Sequence, residues 1–117
     1  MKLVTTLGII LLCSMTAVAQ QSILGRWNTR QENTVIEVKE VKGKIEGRIV
    51  ASDHAKAPIG MLLLKDIHIE ELQMKGKLFA LRKGQWFDAS FSPKQNNMEV
   101  TLIVGWVTRK LNWRKLY

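Results

Sequence analysis

Two acid–histidine pairs are the side chains in this sequence best suited to move a proton. Asp53 stands directly before His54, and Asp66 lies two residues before His68. A carboxylate can orient an imidazole as a general base, but hydrolysis also needs a nucleophile within its reach. No glycine spacing typical of a nucleophile elbow surrounds the candidate serines, which are Ser52, Ser90 and Ser92. We therefore predict no catalytic residue, and the alternative of a hydrolase or isomerase requires one of the histidines to meet a serine or carboxylate in a cleft.

The same histidines do not predict a metal centre. They are the only two in the sequence and stand fourteen residues apart, with no cluster of His, Asp or Glu at a recognised ligand spacing. Cys13 is the only cysteine, so residues 20–117 contain no thiolate ligand and no internal disulfide. We predict that the protein uses no metal and no cofactor.

Aromatic side chains in the second half of the sequence are candidates for a ligand-binding surface. Trp86, Phe91 and Trp106 offer apolar area, and Asp88 could supply a polar group at the mouth of a pocket. The same aromatic residues can instead fill a core, and Asp88 can be a solvated carboxylate near a turn. These four residues are the candidate ligand-binding set, with both interpretations open.

The formal net charge of +8 indicates a second candidate surface. A basic protein can bind nucleic acid or an anionic membrane. Here the basic residues are spread along the chain in small groups, which is typical of solvated strand faces and does not favour nucleic acid. A second hypothesis is therefore an envelope interaction module that binds a protein or an anionic glycolipid through Arg26, Lys42, Lys44, Arg109 and Lys115.

The N-terminal residues have the three parts of a secretory signal peptide. A charge at Lys2 precedes an apolar run over Leu3–Leu12, and Ala17-Val18-Ala19 is a small-residue cleavage site. The apolar run is shorter than the roughly 20 residues that a membrane anchor needs. We predict a signal peptide over residues 1–19, removal of Cys13 with it, and a single domain over residues 20–117 that is periplasmic or secreted.

From residue 22 onward, apolar residues recur at every second position in short segments, which indicates β-strands. A helix over Ile59–Met74 is the main alternative for the fourth strand. The predicted strands are Ile23–Thr29, Thr34–Val41, Lys44–Ala51, one within Met61–Leu72, Lys77–Arg82, Gln85–Ser92, Met98–Val104 and Lys110–Leu116.

The segments between the predicted strands are short. Lys42-Gly43 and Lys83-Gly84 predict tight turns, Ser52–Gly60 is the longest predicted loop, and Gly105-Trp106 predicts a bulge or corner. Consecutive hairpins favour an antiparallel up-and-down arrangement, and its closure removes exposed edges. The predicted fold is an all-β, eight-stranded, lipocalin- or avidin-like barrel.

The first and last predicted strands carry a shared motif. Gly25 and Trp27 lie on the first strand, and Trp113 and Arg114 lie on the last. These strands are neighbours in a closed barrel, so Trp27 can plug one end while the guanidinium of Arg114 or Arg109 covers its ring. This resembles the Gly-x-Trp signature and the terminal-strand arginine of lipocalin-like barrels.

A wider pattern covers nearly the whole predicted mature chain. It consists of Ile23-Leu24-Gly25-Arg26-Trp27, Gly43, Gly47, Gly76-Lys77, Gly84, Trp86, the segment Met98–Trp106 and Asn112-Trp113-Arg114. Together these residues resemble the bacterial Domain of Unknown Function 2147 family, which implies an exported, lipocalin-like β-barrel without an established activity. Ala80-Leu81 replaces an aspartate–proline pair of that family, and Val104 replaces an arginine, so a site built from those polar residues is not implied here.

The leading functional hypothesis is non-enzymatic binding of a small apolar or amphipathic ligand. It rests on the predicted strand number and on the plug motif at Trp27, because an eight-stranded barrel that is stopped at one end can hold one small ligand in its mouth or in a groove on its flank. The hypothesis requires a concave apolar site with a few polar groups, which a sequence cannot show.

Overall fold

Eight antiparallel strands form the part of the chain that a computed structural model describes, residues 22–31 and 33–116. Each strand pairs with the next, and the last pairs with the first, which closes an up-and-down barrel and confirms the predicted fold. The strands are β1 (Gly25–Asn28), β2 (Val35–Val41), β3 (Lys44–Ala51), β4 (Leu62–Glu70), β5 (Gln73–Ala80), β6 (Gln85–Pro93), β7 (Asn97–Val104) and β8 (Val107–Lys115).

The segment for which a helix was the alternative is strand β4. Within residues 22–31 and 33–116, no helix is long and apolar enough to cross a bilayer. The predicted signal peptide, with Cys13, lies outside the described residues.

Alternation of side chains builds the core as the sequence pattern predicts. On β7, Met98, Val100 and Leu102 are buried, and the residues between them are more exposed. On β6, Ala89 and Phe91 face the core. Burial of such side chains stabilises the fold by about 25 cal/mol per Å² of apolar surface.

The connections divide the barrel into two ends. The loop end carries the connections 29–34, 52–61 and 81–84 and the turn 105–106. The turn end carries the turns 42–43 and 71–72 and the connection 94–96. Both residues of Lys42-Gly43 have positive φ values (54° and 81°), as do both of Glu71-Leu72 (52° and 65°), and this geometry matches the strand twist of a two-residue hairpin.

The predicted bulge or corner at Gly105-Trp106 is the two-residue turn of the β7–β8 hairpin. Gly105 occupies its first position with φ of 61°, where the absence of a Cβ avoids strain. A register shift occurs instead in β4 between Lys65 and His68. At this shift the side chain of Ile67 lies over Gly76 of β5. A Cβ added to Gly76 would come within 2.9 Å of the Lys65 carbonyl oxygen, so the close approach of the two strands requires glycine at this position.

Trp27 occupies the core where β1 meets β8. Its side chain is fully buried, and its Nε1–H donates a 2.8 Å hydrogen bond to the carbonyl oxygen of Ile23. The Nζ atom of Lys115 lies 4.5 Å from the centroid of the indole ring and donates to the carbonyl oxygen of Leu24 at 2.6 Å. Burial lowers the pKa of this ammonium group.

The prediction that a guanidinium covers the Trp27 ring is therefore wrong, because the cation over the ring is the ammonium group of Lys115. Trp113 and Lys115 point inward on β8, and Arg114, which stands between them, points outward and is exposed. Arg109 lies toward the loop end. Trp113 is buried, as the plug hypothesis requires, and Gly25 opens β1 with φ of 125°.

The seam that closes the barrel is short. Strands β1 and β8 share only two register pairs, Trp27 with Lys115 and Asn28 with Arg114. One further backbone hydrogen bond joins the Leu116 N–H to the Arg26 carbonyl at 2.9 Å. Because so few backbone hydrogen bonds hold this seam, we infer that the buried indole supplies much of the free energy that keeps it closed.

We expect Trp27→Ala to lower the free energy of unfolding by about 3–5 kcal/mol, or to leave the chain unfolded, because it empties the core at the seam. Trp106→Ala is the matched control at a fully exposed position, and its effect should stay within about 0.5 kcal/mol. Urea denaturation followed by circular dichroism measures both values. Similar losses in the two variants would contradict the role given to Trp27.

Candidate functional site

A cavity of about 180 Å³ opens at the loop end of the barrel. Its walls include inward-facing side chains of three strands: Leu78 of β5, Leu102 of β7, and Leu111 and Trp113 of β8. All four are apolar except for the indole N–H. The interior therefore favours an apolar group, because water there has few hydrogen-bonding partners.

Two threonines give the cavity a polar side. The Oγ1 of Thr29 donates a 2.9 Å hydrogen bond to the carbonyl oxygen of Thr34, and the hydroxyls of Thr34 and Ser52 lie 3.1 Å apart. Ser52 Oγ also accepts a hydrogen bond from the backbone N–H of His54 at 3.0 Å. These bonds tie the connection 29–34 to the connection 52–61. In the described part of the chain, every buried side-chain nitrogen or oxygen has a partner.

His54 stands at the edge of the cavity. Its Nδ1 accepts a 2.9 Å hydrogen bond from the backbone N–H of Lys56, so in this arrangement the ring proton is on Nε2. The imidazole therefore supports the fold of the loop.

The rim of the cavity is positively charged. Arg82 and Lys83 of the β5–β6 connection and Arg109 of β8 contribute to the lining, and all three are exposed. No aspartate or glutamate is among the described residues that line the cavity. An apolar interior with a cationic rim is suited to a molecule that has an apolar body and an acidic group.

The four candidate ligand-binding residues lie elsewhere. Trp86 and Asp88 share the outer face of β6. Trp86 packs edge-on against Phe79, with ring centroids 5.3 Å apart, and Lys65 Nζ lies 4.3 Å from the Trp86 ring centroid. Asp88 is paired with Lys77 at 2.6 Å, and this pairing raises the pKa of Lys77.

Phe91 is a core residue, and Trp106 is fully exposed at the turn between β7 and β8. The cavity thus contains none of the four, whereas Arg109 and Trp113, predicted as plug residues, line it. Sequence reasoning missed Leu78, Leu102 and Leu111. The period-two alternation places them inward, but it does not tell which inward side chains border empty space.

The predicted basic face of five residues is not formed. Arg26 pairs with Glu37 at 3.0 Å, and this hydrogen bond lowers the pKa of Glu37. Lys42 and Lys44 lie at the turn end, Arg109 lies at the loop end, and Lys115 is partly buried over Trp27. Any anionic partner must therefore be recognised by a different set of cations.

His68 borders an open groove of about 400 Å³ on the outer face of the barrel, together with Asp66, Glu70 and Ser90. Its Nδ1 lies 2.7 Å from the Asp66 carbonyl oxygen, and its Nε2 lies 3.2 Å from Glu70 Oε2. Both neighbours are acceptors, so the arrangement favours the doubly protonated ring and raises the pKa of His68. A carboxylate is within reach, as the enzyme alternative required, but neither nitrogen is left to act as a base on a serine.

No group of three or more His, Cys, Asp or Glu residues within the described ranges could hold a metal ion. Comparison of the chain with protein-family models, with curated proteins and with solved structures finds no match. The class that the structure defines is a small, closed, eight-stranded β-barrel with an apolar cavity at one end.

We expect NMR titration to place the pKa of His68 above its ordinary value, with Glu70→Gln lowering it. Glu71→Gln, in the adjacent turn, is the matched control and should leave the titration unchanged. Folding raises the pKa of His68, so protonation of His68 stabilises the folded state. This contribution is fully present at pH values below the pKa of the unfolded state, and it is lost as the pH rises through the pKa of the folded state. A pKa of His68 that is insensitive to Glu70→Gln would contradict the hydrogen bond to Glu70.

Proposed function

We propose that the protein binds a small amphipathic ligand, without catalysis, in the cavity at the loop end. The observation that supports the proposal is the apolar space of about 180 Å³ that remains inside the closed wall. An apolar cavity of roughly 150 Å³ can hold a molecule the size of benzene. The ligand class is therefore one ring or a short alkyl chain, with its polar group at the mouth.

The distribution of side chains within the barrel favours this end as the binding end. At the turn ends of β6 and β7, the large buried side chains of Phe91 and Met98 occupy the interior. Toward the loop end, leucine and valine side chains line the wall and leave space between them. An eight-stranded barrel has room for either its own side chains or one small ligand. The turn end is filled by the barrel's own side chains, and the loop end has the space for a small ligand.

The rim selects the charge of the ligand. Arg82, Lys83 and Arg109 can hydrogen-bond and pair with a carboxylate or similar acid at the mouth. Because these side chains are exposed, water and salt screen them, and their effect falls more on selectivity and association rate than on affinity. Apolar burial then supplies most of the binding free energy.

The proposal includes an exported location, periplasmic or secreted, on the basis of the signal peptide predicted over residues 1–19. Membership of the Domain of Unknown Function 2147 family is likewise proposed from the residues that resemble it. A binding role agrees with both, because an exported carrier or sensor of small acids needs a cavity and no catalytic group.

We expect Leu111→Phe to weaken binding of benzoate or hexanoate at least tenfold, because the larger ring occupies the cavity. Asn112→Phe is the matched control, since residue 112 points to the outside of the same strand. Isothermal titration calorimetry measures both affinities, and native mass spectrometry of protein purified from its own host shows any bound molecule. Absence of a co-purifying mass together with absence of binding to these acids would reject the proposal.

The rim has its own test. Arg109→Gln should reduce the affinity for benzoate or hexanoate several-fold and leave the affinity for benzyl alcohol or hexanol unchanged. The neutral alcohols fill the same apolar space without the acidic group. An equal loss for acids and alcohols would mean that Arg109 supports the cavity only sterically.

A further inference from the structure

The turn between β7 and β8 exposes an unusual amount of apolar surface. Trp106 is 103% exposed, Val107 is 59% exposed and Ile103 is 44% exposed. We call residues 103–107 the β7–β8 tip. Ile103 lies opposite Thr108 on the outer face of the hairpin, Val107 lies opposite Val104 on the other face, and Trp106 stands in the turn between them. A fully solvated indole buries none of its large apolar area, so an apolar turn that is exposed in this way indicates a surface that something else covers.

Beyond Ile103, the tip extends past the pairing between β7 and β6. The last register pair between β6 and β7 joins Asp88 to Ile103. On the other side, β8 pairs with β1 only at Arg114 and Lys115. The tip residues are therefore held mainly by pairing within their own hairpin, Val104 opposite Val107, and by the tight turn at Gly105. Trp106 is presented outward at a narrow, convex end.

Cations lie on the cavity side of the base of this hairpin, whereas Asp88, beside Ile103 on the outer face, is paired with Lys77. Arg109 lies three residues after Trp106, and the cavity mouth brings it near Arg82 and Lys83 of the β5–β6 connection. In the part of the chain that the structure describes, none of these three pairs with a carboxylate. Asp53, at the same end, is hydrogen-bonded to the side chain of Asn33 at 2.6 Å.

The shape and charge of this surface favour a lipid bilayer over a protein partner. Indole rings partition to the boundary between headgroups and acyl chains, and basic side chains beside them attract anionic lipids. A stable protein interface buries roughly 800 Å² on each partner around an apolar centre. Three apolar side chains on a convex hairpin are too few for such a centre, but they are sufficient to enter a fluid headgroup layer.

We propose that the β7–β8 tip docks the protein on an anionic bilayer, with Trp106 in the headgroup region and Arg82, Lys83 and Arg109 on lipid phosphates. Docking in this way turns the loop end, and the cavity mouth within it, toward the membrane. The inference goes beyond the proposed ligand binding and does not depend on an occupied cavity.

Vesicle sedimentation tests the docking, with vesicles of phosphatidylglycerol and phosphatidylcholine compared with vesicles of phosphatidylcholine alone. We expect binding to the anionic vesicles that weakens in high salt. Trp106→Ser should lower the partition coefficient about tenfold, because it removes the inserted ring. The double variant Arg82→Gln/Lys83→Gln should lower it by a similar or larger factor.

The turn end supplies matched controls. Leu72 is 98% exposed in the Glu71-Leu72 turn, so it is an exposed apolar side chain in a hairpin turn, as Trp106 is. Leu72→Ser should leave binding to the vesicles unchanged. Lys42→Gln/Lys44→Gln removes the same charge at the turn end and should also have only a small effect. All variants carry the same N-terminus, so any affinity of that segment cancels in the comparison.

A second measurement reads the position of the indole directly. The emission of Trp106 is the part of the tryptophan emission that is lost in Trp106→Phe, and brominated lipids should quench this part. The readout holds whether or not the N-terminus also contacts the bilayer. Absence of this quenching would overturn the proposal, as would equal losses of binding in Trp106→Ser and Leu72→Ser. Capture of a protein that depends on Trp106, without binding to vesicles, would assign the tip to a protein partner and also overturn it.

Discussion

Closure of the sheet between β1 and β8 is the interaction on which this structure depends. A barrel has no exposed edges only if its first and last strands pair. Here β1 is four residues long, and only two register pairs join it to β8. The buried ring of Trp27, hydrogen-bonded to Ile23 and covered by the Lys115 ammonium, adds apolar burial at the place where backbone pairing is weakest.

The short first strand also leaves most of β8 without a partner on one side. Strand β8 has nine residues, and its residues before Arg114 have no register partner on β1. Leu111 and Trp113 thus border open space inside the barrel, and the hairpin beyond them extends past the wall. Two neighbouring strands of unequal length thus leave part of β8 unpaired on one side, and both the interior site and the exposed apolar end lie at the loop end.

Much of the fold was predictable from local pattern, and the site was not. The alternation of Met98, Val100 and Leu102 indicates one buried face, and Lys42-Gly43 indicates a two-residue turn, because both depend on neighbouring residues only. The cation over Trp27 belongs to Lys115 and not to the neighbouring Arg114, because one step along β8 reverses the direction of a side chain. Likewise, Trp86 and Asp88 have the chemistry of a pocket but lie on the outer face.

The sequence by itself determined that the domain is all-β, that eight strands follow one another through short connections, and that Trp27 and Trp113 belong to the core. These properties follow from side-chain direction along a strand, which is local. Only the tertiary structure decided which end of the barrel is filled, which inward leucines border the cavity, and that Trp106 is left in solvent. Those outcomes depend on the register and relative length of strands that are distant in sequence, such as β1 and β8, and no local pattern encodes how two such strands align.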